Sequence, residues 1–196
     1  MISVRTPCLV WVAVCTAVIG IAAPTASPQQ LASPNGDLRI SVGIREHLEP
    51  DPAGARLYYS LGYRGRDVLL DSPFGLDFVG QSPIAGNLAI VSVERRTGDE
   101  TWRRVWGKRT EVADRYNELK LGLEETSVPH RGLTLIFRAY DDGMAFRYEL
   151  ADSWGEFELA AERSSFAFPG NPTVWAANYG GFESSQESEF VEQTVA

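Results

Sequence analysis

The sequence predicts an all-β protein, an antiparallel β-sandwich. Three observations lead there. Short segments alternate apolar and polar residues with period two, as in Leu38-Arg39-Ile40-Ser41-Val42 and Leu57–Tyr63. Turn-forming residues punctuate these segments at the spacing expected of sandwiches and barrels. No stretch carries an apolar stripe of period 3.6 over three turns, and no internal repeat of fixed period occurs.

The elements follow in order. Ser33-Pro34-Asn35-Gly36-Asp37 reads as a turn, and Leu38–Ile44 as a half-buried strand. Residues 46–55, with two prolines and a glycine, read as a loop that carries His47. Leu57, Tyr59, Leu61 and Tyr63 share one face of the next strand. Arg64-Gly65-Arg66-Asp67 then turns into Val68-Leu69-Leu70 as a hairpin. Leu76–Val79 and Leu88–Glu94 are expected to be strands around a Pro-Gly loop, 95–101 a polar connector and Trp102–Trp106 a further strand. Residues 109–115 are charged and read as loop. Leu119, Leu121 and Leu123 then line one face of 117–125.

Arg131–Leu150 is the most informative stretch. Asp142-Gly143 suits a two-residue turn with φ > 0 at both positions. That register sets Ala139 against Phe146, Phe137 against Tyr148 and Leu135 against Leu150, all on one buried face. A slip of one residue would bring Phe137 against Arg147 and spoil the face. Gly143→Val is expected to damage such a turn. Arg138 and Arg147 face each other in this register, so carboxylates are expected beside them, Glu149 and one from another segment. Glu156–Leu159 and Phe166–Phe168 complete about ten expected strands. From Asn171 on, no sheet pattern is visible.

The chain has 196 residues, 44% hydrophobic and 22% charged, enough for one good core. Residues 1–26 stand apart: Arg5, an unbroken apolar run from Cys8 to Ala23, then small residues to Ala26. This is the layout of a secretory signal peptide, so an exported protein, periplasmic or secreted, is expected, without a membrane anchor once the signal is cleaved. Cys8 and Cys15 both lie in that run, and the remaining chain has no cysteine for a disulfide, thiolate metal site or nucleophile. The formal charge is −8, which disfavours nucleic acid and anionic lipid as partners. The expected organisation is a signal peptide (1–26), a β-sandwich (27–170) and an acidic linker (171–196).

Chemistry-bearing patterns are few. His47 and His130 stand without a G-x-S-x-G elbow or a metal-ligand spacing, and read as loop histidines. No phosphate-binding Gly-rich loop occurs. Glycoside hydrolysis needs two carboxylates across a sugar ring. The tail offers Glu183, Glu187, Glu189 and Glu192 with no Lys or Arg after Arg163; Glu183 and Glu187 would be neighbours only on a helix. By composition the tail reads as a solvated acidic linker. Trp102, Trp106, Tyr58 and Trp175 are residue types that stack on sugars, but at strand spacing they read as core.

Four motifs in order carry a family resemblance. Ile136-Phe137-Arg138 with Asp142-Gly143-Met144-Ala145-Phe146-Arg147-Tyr148 resembles the hairpin of the N-terminal domain of glycoside hydrolase family 97. Ser33-Pro34-Asn35-Gly36 is similar to that domain's opening. Trp106-Gly107 with Tyr116-Asn117-Glu118-Leu119 is similar to its "WG…YNEL" segment. Phe182-Glu183-Ser184-Ser185 with Glu189-Phe190 is similar to its "YESSY…EY" stretch, with Phe182, Gln186 and Phe190 departing from the family's tyrosines. The resemblance implies a galactose-mutarotase-like sandwich ahead of a catalytic (β/α)8 barrel, in an exported calcium-dependent α-glucosidase or α-galactosidase acting on α-linked oligosaccharides. It implies that Glu183 is lent to a calcium (Ca2+) site. The catalytic carboxylates would lie in the barrel, beyond this chain, so the fragment is expected to be inactive alone. The alternative is a free-standing carbohydrate-binding or adhesion sandwich without catalysis.

Overall fold

A computed structural model describes residues 27–47, 54–108, 110–181 and 183–195. The expected signal peptide lies outside them. Among the described residues the chain forms thirteen strands and one three-residue 3-10 turn at Asp152–Trp154, with no helix long and apolar enough to cross a membrane.

The first sheet has the order β1-β2-β3-β4: Gln29–Ala32, Leu38–His47, Gly54–Tyr63 and Arg66–Pro73. The second has the order β10-β9-β8-β7: Met144–Leu150, Gly132–Ala139, Glu111–Glu125 and Leu88–Arg103. A small third sheet, β11-β5-β6, joins Leu159–Glu162, Leu76–Phe78 and Gln81–Ile84. Thr173–Ala176 (β12) and Val191–Thr194 (β13) pair only with each other. Within the sheets, the neighbouring strands are antiparallel.

The alternating faces read from the sequence meet between the two large sheets. Ile40, Val42, Leu57 and Tyr59 of one pack with Leu119, Leu121, Leu123, Leu135 and Phe137 of the other in a single core. Its centre is aromatic: Phe74 lies 4.7 Å from Tyr59 and 5.6 Å from Phe137, ring centre to ring centre, the latter edge-on. Tyr59 keeps its hydroxyl satisfied by donating to the Ser165 carbonyl at 2.9 Å. Burial pushes that phenol's pKa up to about 12.

Several sequence expectations need correction. The β9–β10 register sets Ala139 against Met144, Phe137 against Phe146 and Leu135 against Tyr148. This is two residues from the expected pairing, and because side chains alternate with period two the same residues still face the core. The turn is Tyr140–Gly143, closed by Tyr140 N–H to the Gly143 carbonyl at 2.8 Å. Gly143 is outside the left-handed region, and a Cβ there would meet nothing within 4 Å. The left-handed two-residue turn sits instead at Arg64 (φ 50) and Gly65 (φ 75), between β3 and β4. Asp141 is occupied elsewhere, accepting the Asn35 amide at 2.8 Å and tying two turns together.

The expected connector at 95–101 belongs to strand β7 and residues 111–115 of the expected loop belong to β8, one hairpin paired from Leu88↔Glu125 to Arg103↔Glu111. Of the strand expected at Trp102–Trp106, Trp102 and Arg103 end β7, whereas Trp106 lies past its end. Strands β6 and β1 were not foreseen. Residues 156–158 are not strand, and β11 begins at Leu159. Residues 166–168 run beside β4 without a ladder, Leu70 N–H donating to the Ala167 carbonyl at 2.7 Å. The tail does contain paired strands, β12 and β13.

Candidate functional site

Glu183 sits in a turn after Gly180-Gly181 and is exposed. Short polar side chains make this segment a string of turns rather than a helix. Asn178 Oδ1 accepts the Gly180 amide at 2.8 Å, Ser184 Oγ the Gln186 amide at 3.3 Å and Ser185 Oγ the Glu187 amide at 3.4 Å. The Ser184 amide reaches back to the Gly181 carbonyl at 3.3 Å. Glu183 and Glu187 are therefore not neighbours on a helix face. Calcium takes six to eight oxygens. Among the described residues no group of three or more His, Cys, Asp or Glu is placed to hold a metal. One free carboxylate fits as a single donor to a shell completed by other groups, not as a site by itself.

The histidines stand on different elements. His47 ends β2, paired with Gly54 rather than in a loop. His130 lies in the turn before β9, its Nδ1 3.0 Å from the Glu125 carbonyl oxygen.

The buried carboxylates are structural. Glu118 is on the outer face of the second sheet, with Oε2 accepting from Arg138 Nε at 2.7 Å and Oε1 2.5 Å from Arg96 Nε. Burial by itself would raise its pKa, but the hydrogen bonds and charges of the two arginines outweigh this and hold it below the ordinary 4.5. Arg138 is held from above too, its guanidinium 4.0 Å from the Tyr116 ring centre. Arg147 takes Glu149 at 2.5 Å. The two expected carboxylates are thus Glu118 and Glu149. Their arginines no longer face each other, because the register pairs Arg138 with Ala145 and Arg147 with Ile136. Glu125 accepts a two-pronged Arg131 contact at 2.6 and 2.7 Å, which lowers its pKa.

Aromatics read as core turn out to be the exposed features. Strand β8 pairs β9 only from Asn117 onward, so 98–103 and 111–116 project as a free ribbon of six residue pairs. At about 3.3 Å per residue it stands about 20 Å off the sheet. Its end carries Trp102 and Trp106, the latter 87% exposed. Trp175 on β12 is 65% exposed, and Tyr58 is half-buried. Alternation alone does not reveal this, since a strand needs a second layer before either face is buried. The signal that could have found it is the density of charge at 94–115, where neither face is apolar throughout.

A family model described as glycosyl-hydrolase 97 N-terminal matches residues 31–196. Among curated relatives, a retaining alpha-galactosidase of Bacteroides thetaiotaomicron is 27% identical over 144 residues, 74% of this chain and 19% of its own length. A probable retaining alpha-galactosidase of Streptomyces bingchenggensis is 30% identical over 142 residues, 70% of this chain and 21% of its own. The chain thus spans about a fifth of the length of these relatives. A glycoside hydrolase family 97 enzyme from Pseudoalteromonas sp. strain K8, solved in complex with panose, superposes with a TM-score of 0.67 at 23% identity. That match covers 78% of this chain and 22% of that one. A beta-arabinopyranosidase crystal structure superposes with a TM-score of 0.64 at 23% identity, covering 83% and 26%. These two likenesses establish the fold.

Proposed function

We propose a function from the premise that this chain belongs to the glycosyl-hydrolase 97 N-terminal family: it is the supporting sandwich of an exported α-glycosidase. The observation that carries this reading is the family match across residues 31–196, which takes in all four motifs. In this reading the bond-cleaving carboxylates stand on a barrel formed by other polypeptide, and the sandwich packs against it. The substrate is an α-linked galactoside or glucoside. Calcium, when bound, supplies a fixed positive charge beside the reacting sugar.

The role of Glu183 is to donate one carboxylate oxygen to that calcium. Its exposure and its lack of a cationic neighbour in the tail leave the charge available. The test is Glu183→Ala in the intact enzyme. Calcium affinity, read by direct titration as well as by activity on an aryl α-galactoside, should weaken about tenfold, since affinity follows the count of charged ligands. The melting of the sandwich should not move. An unchanged calcium titration would remove Glu183 from the site.

The exposed Trp102 and Trp106 favour a second reading, a sandwich that binds carbohydrate by itself. It requires that the isolated chain bind a neutral α-oligosaccharide and that Trp106→Ala abolish the binding. The first reading requires neither.

A further inference from the structure

We propose that a cleft between the first sheet and the small β11-β5-β6 sheet binds a carboxylate carried on a small ring framework, of the kind a sugar acid presents. The cleft has a volume of about 510 Å³, within the range of small-molecule sites. Phe74, Pro73, Pro83 and Ala85 give it an apolar lining, and Arg56 and Arg163 supply two guanidinium groups.

Arg56 carries the argument. Its Nε is buried and, among the described residues, is the one buried side-chain polar atom without a hydrogen-bond partner. A buried N–H with no acceptor is unfavourable and marks a missing partner. The arginine is closely seated: a Cβ on Gly86 would fall 3.6 Å from the Arg56 Cγ. Its neighbour across the β2–β3 ladder is Arg45, a like charge. Arg45 is neutralised by Asp71, and no ion pair among the described residues does the same for Arg56.

The second guanidinium is also placed by the fold. Arg163 N–H donates to the Gly75 carbonyl at 2.8 Å, and a Cβ on Gly75 would come 3.1 Å from the Arg163 Cβ. Asp77 is the cleft's carboxylate, and Arg163 Nε already holds it at 2.6 Å. Two cations against one engaged anion leave the lining net positive in a chain of formal charge −8. An arginine presents parallel N–H donors that match a carboxylate edge, while the apolar lining accepts the C–H face of a ring. This site is separate from Glu183 and does not rest on the barrel-supporting reading.

The test is calorimetric titration of the chain with sodium glucuronate and, in parallel, with methyl glucoside, the neutral counterpart. Glucuronate should bind saturably, and methyl glucoside at least about tenfold more weakly, the loss of one charged pair. Arg56→Met should weaken glucuronate by a similar factor. It should also raise the ligand-free melting midpoint by about 2–4 °C, because an apolar stem replaces an unpaired buried donor. Arg163→Gln, at an exposed position, should weaken glucuronate with the midpoint almost unmoved. Equal binding of the two probes, no saturable binding of glucuronate, or unchanged affinity in either variant would overturn the proposal. So would a lowered midpoint in Arg56→Met, which would mean that the guanidinium is already paired.

Discussion

Gly143 and Gly65 show how two similar turn glycines differ once their backbone angles are known. Gly65 is at φ 75, where a β-branched residue is strained, whereas Gly143 lies outside that region with open space around it. Gly65→Val is therefore expected to lower stability by about 1–3 kcal/mol in denaturant titration. Gly143→Val should change it by less than about 0.5 kcal/mol. The Asp-Gly pair suggested the opposite, because turn propensity cannot foresee that Asp141 is engaged by the Asn35 amide from 106 residues away. Glu118 is the other decisive residue. Glu118→Gln removes a buried carboxylate that answers Arg138 and should cost about 2 kcal/mol by the same assay. A carboxylate beside Arg138 was expected from an opposition with Arg147 that the register does not hold; that Glu118 supplies it depends on the β8–β9 register.

At the scale of elements, the β7–β8 ribbon separates a strand's pairing from its burial. Its inner part carries Leu119, Leu121 and Leu123 into the core, while its outer part has hydrogen bonds to one partner and no covering layer. A two-stranded ribbon is marginal alone. Amide hydrogen exchange should accordingly be fast at Ala113 and Arg115 and slow at Leu121 and Leu123, and uniform protection along β8 would contradict this. One packing contact does act in the ribbon. A Cβ on Gly98 would fall 2.5 Å from the Tyr116 ring, and that ring lies over Arg138. Gly98→Val should therefore displace Tyr116 and loosen the Arg138–Glu118 pair, seen as a rise of the Glu118 pKa by NMR. Long apolar strands such as β9 could be read from the sequence. The charged strand segments 95–101 and 111–115 could not, since period-two alternation is visible only where one face is buried.

For the whole molecule, stability should depend on acid through Glu118 and Glu125. Both have pKa values held below 4.5 in the folded state, so their contribution is complete above the unfolded value and is lost as pH falls through the folded values. The melting midpoint should be flat from pH 7 to about 5 and fall below about 4.5, and Glu118→Gln should flatten that fall. The sequence by itself determined the all-β class, the buried faces of the core strands and the family, because these rest on local periodicity and on motifs short enough to be read along the chain. Only the tertiary structure decided the register of the β9–β10 hairpin, the exposure of Trp102 and Trp106, and the placing of Arg56 and Arg163 on one cleft. Each of these depends on which distant segment lies opposite, and that is set by the packing of whole sheets rather than by neighbours in the chain.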